Sequence, residues 1–152
     1  MLVLTGQVAA YEEKISELGL DPKRVTVTSA DHDAMPQWLS LMHWGMLLLD
    51  PQSPAKRASM PTKLGEFFAT GVRPVQFGCS TEVAQWVNRA GTGLALKAVD
   101  AQSLDEAAHF IATSALSDAA LRQGRELTKG HFSLESGIAR YDQVLSRSTR
   151  PD

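Results

Sequence analysis

The chain has 152 residues, 43% of them hydrophobic, a net charge of −2 and a single cysteine. That length suffices for one well-buried domain and falls short of two ordinary ones, while the near-balanced charge lacks the basic footprint of a nucleic-acid binder. Cys79 alone excludes an internal disulfide and fits a reducing, cytoplasmic setting, and the longest apolar run, Met46 to Leu49, is far too short to serve as a transmembrane segment.

Short apolar runs alternate with amphipathic stretches. Leu2-Val3-Leu4-Thr5 predicts a buried strand ending at Gly6. Ala9 to Leu18 predicts a helix with Tyr11, Ile15 and Leu18 on one side and Gly19 just past its end. A second strand follows at Val25 to Thr28, then a helix from Pro36 to Trp44 with Trp38, Leu39 and Met42 inward. Gly45 to Leu49 predicts the third strand, Pro74 to Phe77 the fourth, closed by Gly78, and Gly91 to Leu96 leads into a short fifth. Helices are expected from Pro61, over Thr81 to Arg89, from the capping box Ser103-Leu104-Asp105-Glu106, over Asp118 to Leu127 and over Leu134 to Leu145. This order predicts an α/β fold, a doubly wound, Rossmann-like parallel sheet covered by helices. It would occupy residues 1–148 as one domain, with a polar tail at 149–152.

Four polar clusters fall at expected carboxyl ends of strands: Thr5-Gly6-Gln7, Ser29 to Asp33, Asp50 to Met60, and Gly78-Cys79-Ser80. Ligands of doubly wound sheets bind on that side. Gly6 permits a tight turn and close approach of backbone to a ligand, or serves an ordinary strand-to-helix turn. Asp33 is expected to cap the following helix and Asp31 to stabilise a turn. Lys56 and Arg57 are two cations in the loop ahead of the Pro61 helix, able to close over a diphosphate or simply to be solvated.

The segment Ser59-Met60-Pro61-Thr62-Lys63-Leu64-Gly65-Glu66 carries the sharpest signal. Pro61 suits the first position of a helix, with Ser59 or the chain before it as the cap. Free N–H groups and the positive dipole end there attract phosphate. Thr62 and Lys63 add a hydroxyl and an ammonium, and Glu66 follows at helical spacing, where its carboxylate could accept from two ribose hydroxyls. The segment then reads as a nucleoside-diphosphate clamp. Spacing alone leaves a second possibility open: Lys63 and Glu66 as a surface ion pair, worth roughly 0–1 kcal/mol.

Met60-Pro61-Thr62-Lys63-Leu64-Gly65-Glu66-Phe67-Phe68-Ala69-Thr70-Gly71, followed by Pro74-Val75, resembles the nucleotide-sugar-binding region of GT-B glycosyltransferases. The nearest likeness is to the group-1, family-4-like branch and its P-T-K-x-x-E-Y-L-A-x-G-x-P-V-V pattern. The resemblance implies that Glu66 holds the donor ribose and that the turn around Thr62 and Lys63 faces the diphosphate. It further implies that His32 lies in the loop lining the nucleobase pocket, as a base-edge contact. The element order resembles the C-terminal, donor-binding half of a GT-B fold lacking its first strand, and His131-Phe132-Ser133 with the helix bearing Tyr141 resembles the terminal segment of that half. On this likeness the chain is a fragment, inactive when isolated. It would be the donor-binding portion of a retaining transferase that moves a sugar from a nucleoside-diphosphate sugar to an acceptor held by an N-terminal domain of the same polypeptide. No cofactor or metal is implied. An exposed sheet edge where the first strand would pair suggests a dimer.

One departure stands out. Ala58 occupies the position where many members of that branch place a first glutamate, against the donor sugar. This keeps a second expectation alive, a non-catalytic glycosyltransferase-like binding module. Other chemistries find little support. The four histidines show no metal-ligand spacing and Cys79 has no CxxC partner. Neither a dinucleotide fingerprint nor a P-loop occurs. Trp38, Trp44 and Trp86 are expected in packing roles, and His109 on an apolar face beside Phe110.

Overall fold

The computed structural model describes residues 2–4, 6–48, 60–78, 81–115 and 117–148, in two compact units that divide between Met42 and His43. In the first unit, β1 (Leu2–Leu4) and β2 (Thr26–Thr28) form a two-stranded parallel sheet with Leu2 opposite Thr26. Between them run α1 (Val8–Glu17) and a 3₁₀ turn at Pro22–Arg24. Asp21 caps that turn, its Oδ1 accepting from the Lys23 N–H at 3.0 Å. Of the three apolar residues expected inside α1 only Ile15 is buried, and Tyr11 and Leu18 are exposed.

A second 3₁₀ turn, His32–Ala34, leads into α2 (Met35–Ser40). This helix is shorter than the expected stretch to Trp44. Its last turn tightens, with Met42 N–H donating to Leu39 C=O at 2.9 Å, and Trp44 is taken by the next strand, where it lies opposite Arg73. Ala34 occupies the N-cap of α2, so Asp33 does not cap it, and Asp31 makes no side-chain capping bond.

The second unit holds β3 (Trp44–Leu48), α3 (Thr62–Thr70), β4 (Arg73–Phe77), α4 (Thr81–Ala90), β5 (Leu94–Leu96), α5 (Ala101–Thr113), α6 (Asp118–Leu127) and α7 (Leu134–Ser148). A π-helical turn, Thr128–Phe132, joins the last two helices. The sheet is parallel throughout, in the order β3-β4-β5, with Met46 opposite Val75 and Val75 opposite Leu94. It is flanked by helices, so the α/β class holds. The reversal of strand order that defines double winding does not occur within this sheet. The strands are shared between two sheets rather than gathered in one of five.

Every residue of β4 is buried, as expected of a central parallel strand covered on both faces. Val75, Phe77, Leu96 and Ala107 form the core of this layer, with Trp44, Leu94 and Ile111 packed against it. Pro74 sits in this central strand, where its ring presses on β5. A Cβ on Gly93 would run into the Pro74 carbonyl and come within 2.7 Å of its Cγ. Glycine at 93 is therefore what lets β5 approach a proline-bearing strand.

Two expectations about α5 are revised. Asp100 is its N-cap, accepting from the Ser103 N–H at 2.8 Å. The helix so begins three residues earlier than a Ser103 capping box would have it, and Ser103 is buried in its first turn. The helix turns Ala107 and Ile111 to the sheet and leaves His109 exposed.

Candidate functional site

Helix α3 follows a parallel strand and precedes its neighbour, which places its N-terminus on the carboxyl side of the sheet. Leu64, Gly65, Phe67 and Phe68 form its buried face. Gly71, at φ 81°, closes it in the left-handed conformation. At its start, Pro61 is the N-cap and not the first helical residue: its ψ of 122° is extended, and its carbonyl accepts from the Leu64 N–H at 3.0 Å. Ser59, the expected cap, lies outside the described residues. The cap has no side-chain acceptor, so among the described residues no side chain caps the first N–H groups of α3.

Beside this helix end lies a cleft of about 450 Å³. One wall is the approach to α3 and one stripe of the helix: Pro61, Thr62, Gly65, Glu66 and Ala69. The opposite wall is Thr128 and Phe132, from the π-helical turn. Such turns interrupt the regular ladder and recur where a helix is re-aimed at a site. Phe132 is held by three neighbours: its ring meets Phe68 at 6.1 Å and Trp86 at 5.2 Å, both edge-on, and its Cβ would stand 3.0 Å from a Cβ at position 65. Thr128 Oγ1 donates to Gly124 C=O at 3.1 Å, which ties the turn back to α6.

Of the residues singled out in the sequence, Pro61, Thr62 and Glu66 line this one cleft. Glu66 is half-buried, and among the described residues its carboxylate has neither an ion-pair nor a hydrogen-bond partner; the ion pairs found are Lys14–Glu17 and Lys129–Glu126. The Lys63–Glu66 surface bridge is thus not formed. Lys63 is exposed and does not line the cleft. The helix turns about 100° per residue, which leaves Lys63 roughly 60° beyond Glu66 on the outer side of the stripe.

Gly6 and His32 belong to the first unit, and both are exposed. Among the described residues a Cβ on Gly6 would meet nothing within 4 Å. Arg57, with Lys56 and Ala58, lies outside the described residues, as do Cys79 and Ser80. Thr128 is a wall residue that was not singled out from the sequence. Its only sequence signal is a hydroxyl at the end of an amphipathic helix.

Among the described residues no three His, Cys, Asp or Glu side chains come together as a metal would need, and no helix is long and apolar enough to cross a membrane. Comparison of the chain with protein-family models, with curated proteins and with solved structures finds no match.

Proposed function

We propose that this chain is the donor-binding portion of a retaining, nucleotide-sugar-dependent glycosyltransferase of GT-B type. The observation that carries the reading is the cleft at the start of α3, where a half-buried Glu66 carboxylate, unpaired among the described residues, and the Thr62 hydroxyl share one wall. A cleft of about 450 Å³ is within the usual range for small-molecule sites. In this reading Glu66 accepts from the ribose hydroxyls and fixes the register of the reacting carbon. The free N–H groups of α3 and the Thr62 hydroxyl take up charge that builds on the diphosphate as the glycosidic bond breaks. Lys63, exposed beside the stripe, swings toward the same anion. An acceptor is held by a separate domain of the polypeptide, and no metal is called upon.

Charge-assisted hydrogen bonds contribute roughly 1.5–3 kcal/mol each and a helix end about 0.3–1. Three or four such contacts, less the cost of association, correspond to a Kd between roughly millimolar and tens of micromolar. Calorimetric titration with UDP, GDP, ADP, CDP and dTDP tests this. One diphosphate should bind saturably, Glu66→Ala should remove most of the affinity, and Lys63→Ala should weaken diphosphates more than nucleosides. Unchanged binding in both variants would sink the assignment.

Ala58 favours a second reading, a binding module of the same ancestry that no longer transfers sugar. The two differ in what the sugar contributes. A transferase should bind the nucleotide sugar more tightly than the bare diphosphate, whereas the module should bind both alike.

A further inference from the structure

The π-helical turn and α7 meet through a histidine that the cleft at α3 does not use. His131 is half-buried. Its ring tilts against Trp86 of α4, with 4.7 Å between centroids, and Arg89, three residues on, lies over the Trp86 ring at 5.5 Å. His131 Nδ1 stands 2.8 Å from Nη2 of Arg140 on α7. Ser133 and Ser136 stitch the start of α7 to the turn: Ser133 Oγ donates to Lys129 C=O at 2.9 Å, and Ser136 Oγ to Gly130 C=O at 2.8 Å. Arg140 carries the attachment one turn further along the helix.

A guanidinium has donors and no acceptor, so Arg140 donates and His131 Nδ1 accepts. The ring in this contact is therefore neutral, with its hydrogen on Nε2. In an imidazolium both nitrogens carry hydrogen, and the same contact would set N–H against N–H at 2.8 Å. The carboxylates on the surrounding elements are Glu66 on α3, Glu82 on α4, Asp118 and Glu126 on α6, and Glu135 and Asp142 on α7. Glu126 pairs with Lys129 at 3.0 Å, and among the described residues none of the six reaches ion-pair distance of His131. Lys63 on α3 and Arg122 and Arg125 on α6 add only positive charge. A proton on Nδ1 thus sets a third cation beside Arg89 and Arg140 with no counter-charge in contact.

We infer that His131 is a proton-operated latch: neutral, it holds α7 on the π-helical turn through Arg140, and protonated, it releases that helix. Histidine is the side chain whose charge changes between about pH 5 and 8. Helices up to about 12–15 residues are marginal in water without packing. Helix α7 has 15 residues, and Leu134, Ile138, Tyr141 and Val144 on it are exposed. With so little apolar packing, the loss of one attachment reaches the backbone of the helix. The latch adjoins the cleft at α3 through Phe132 but does not rest on what that cleft binds.

The test is a pH titration of ¹³C,¹⁵N-labelled protein from about pH 8 to 5, followed by NMR. The His131 ring reports its own protonation, and the amide and Cα shifts of residues 138–146 report α7. At the upper end the ring should carry hydrogen on Nε2 alone. On acidification the α7 shifts should move toward coil values with the same midpoint as the His131 ring. His131→Asn keeps an uncharged acceptor that does not titrate, and should lose nearly all of the α7 change. In Arg140→Met the His131 ring still titrates, and α7 should no longer follow it. Both variants should keep the parent spectrum in the sheet. Cα shifts that stay helical while His131 protonates would mean that only the Arg140 side chain swings away, and would overturn the inference. An α7 transition that persists in His131→Asn, or a His131 ring still neutral at the acid end, would overturn it as well.

Discussion

At the scale of single residues, position within a helical turn decides which charges can act. Glu66 and Lys63 are three residues apart, yet only Glu66 lines the cleft, because the stripe that Thr62, Gly65 and Ala69 define ends beside it. Asp100 shows the same logic in a structural role. Its carboxylate accepts from the Ser103 N–H, and that bond holds its pKa below the ordinary carboxylate value. A depressed folded-state pKa contributes stability above the ordinary carboxylate range, lost as pH falls through that range toward the folded value. Asn caps as well as Asp and does not titrate. Asp100→Asn should therefore match the parent in thermal midpoint near neutral pH and lose less of it on acidification. Equal acid sensitivity of the two proteins would remove the cap from the account.

At the scale of elements, the packing of α3 against the π-helical turn sets the width of the candidate cleft. Gly65 makes that contact possible, since an added Cβ would stand 3.0 Å from Phe132 Cβ and 3.2 Å from its Cγ. Gly65→Ala brings two opposed effects. Alanine favours the helix by about 1 kcal/mol, while overpacking costs about 1–3 kcal/mol. Phe132 Cβ is close to its own backbone and Phe68 and Trp86 hem the ring in, so relief is limited and the penalty should win. We expect a net loss of about 1 kcal/mol, read as a lower urea midpoint at unchanged m-value. Weaker nucleotide binding should accompany it as Phe132 shifts. The motif of the α3 segment was legible from its residues, but Phe132, 67 positions beyond Gly65 in the chain, could not be placed against it by any local pattern.

At the scale of the whole molecule, burial is uneven between the two units. The largest fully buried side chains, including Phe68, Phe77, Leu64, Val75 and Val83, all lie in the second. In the first unit, Ile15 and Leu39 are the buried apolar residues among those described. Amide exchange follows local burial. Hydrogen exchange read by mass spectrometry should show β4 protected longest and α1 and α2 exchanging early. Uniform protection across both units would contradict this. Exposed apolar residues of the second unit include Leu134, Ile138 and Tyr141 on α7, and Met46 and Leu48 on β3.

The residues alone determined the α/β class, the five strands to within a residue or two, and the helices after β4, because apolar periodicity and glycine stops are local properties. They also singled out the start of α3, where Pro61, Thr62 and Glu66 line one cleft. Tertiary structure decided the rest. Trp44 left its expected helix for a strand because β4 offered it a ladder partner in Arg73. Asp100 rather than Ser103 opened α5, and Ser103 was buried in its first turn. The strands divided into two sheets, and Arg73 became a buried, under-bonded cation beside the first turn of α6. Each of these outcomes depends on groups distant in the chain meeting in space, which spacing along a sequence does not encode.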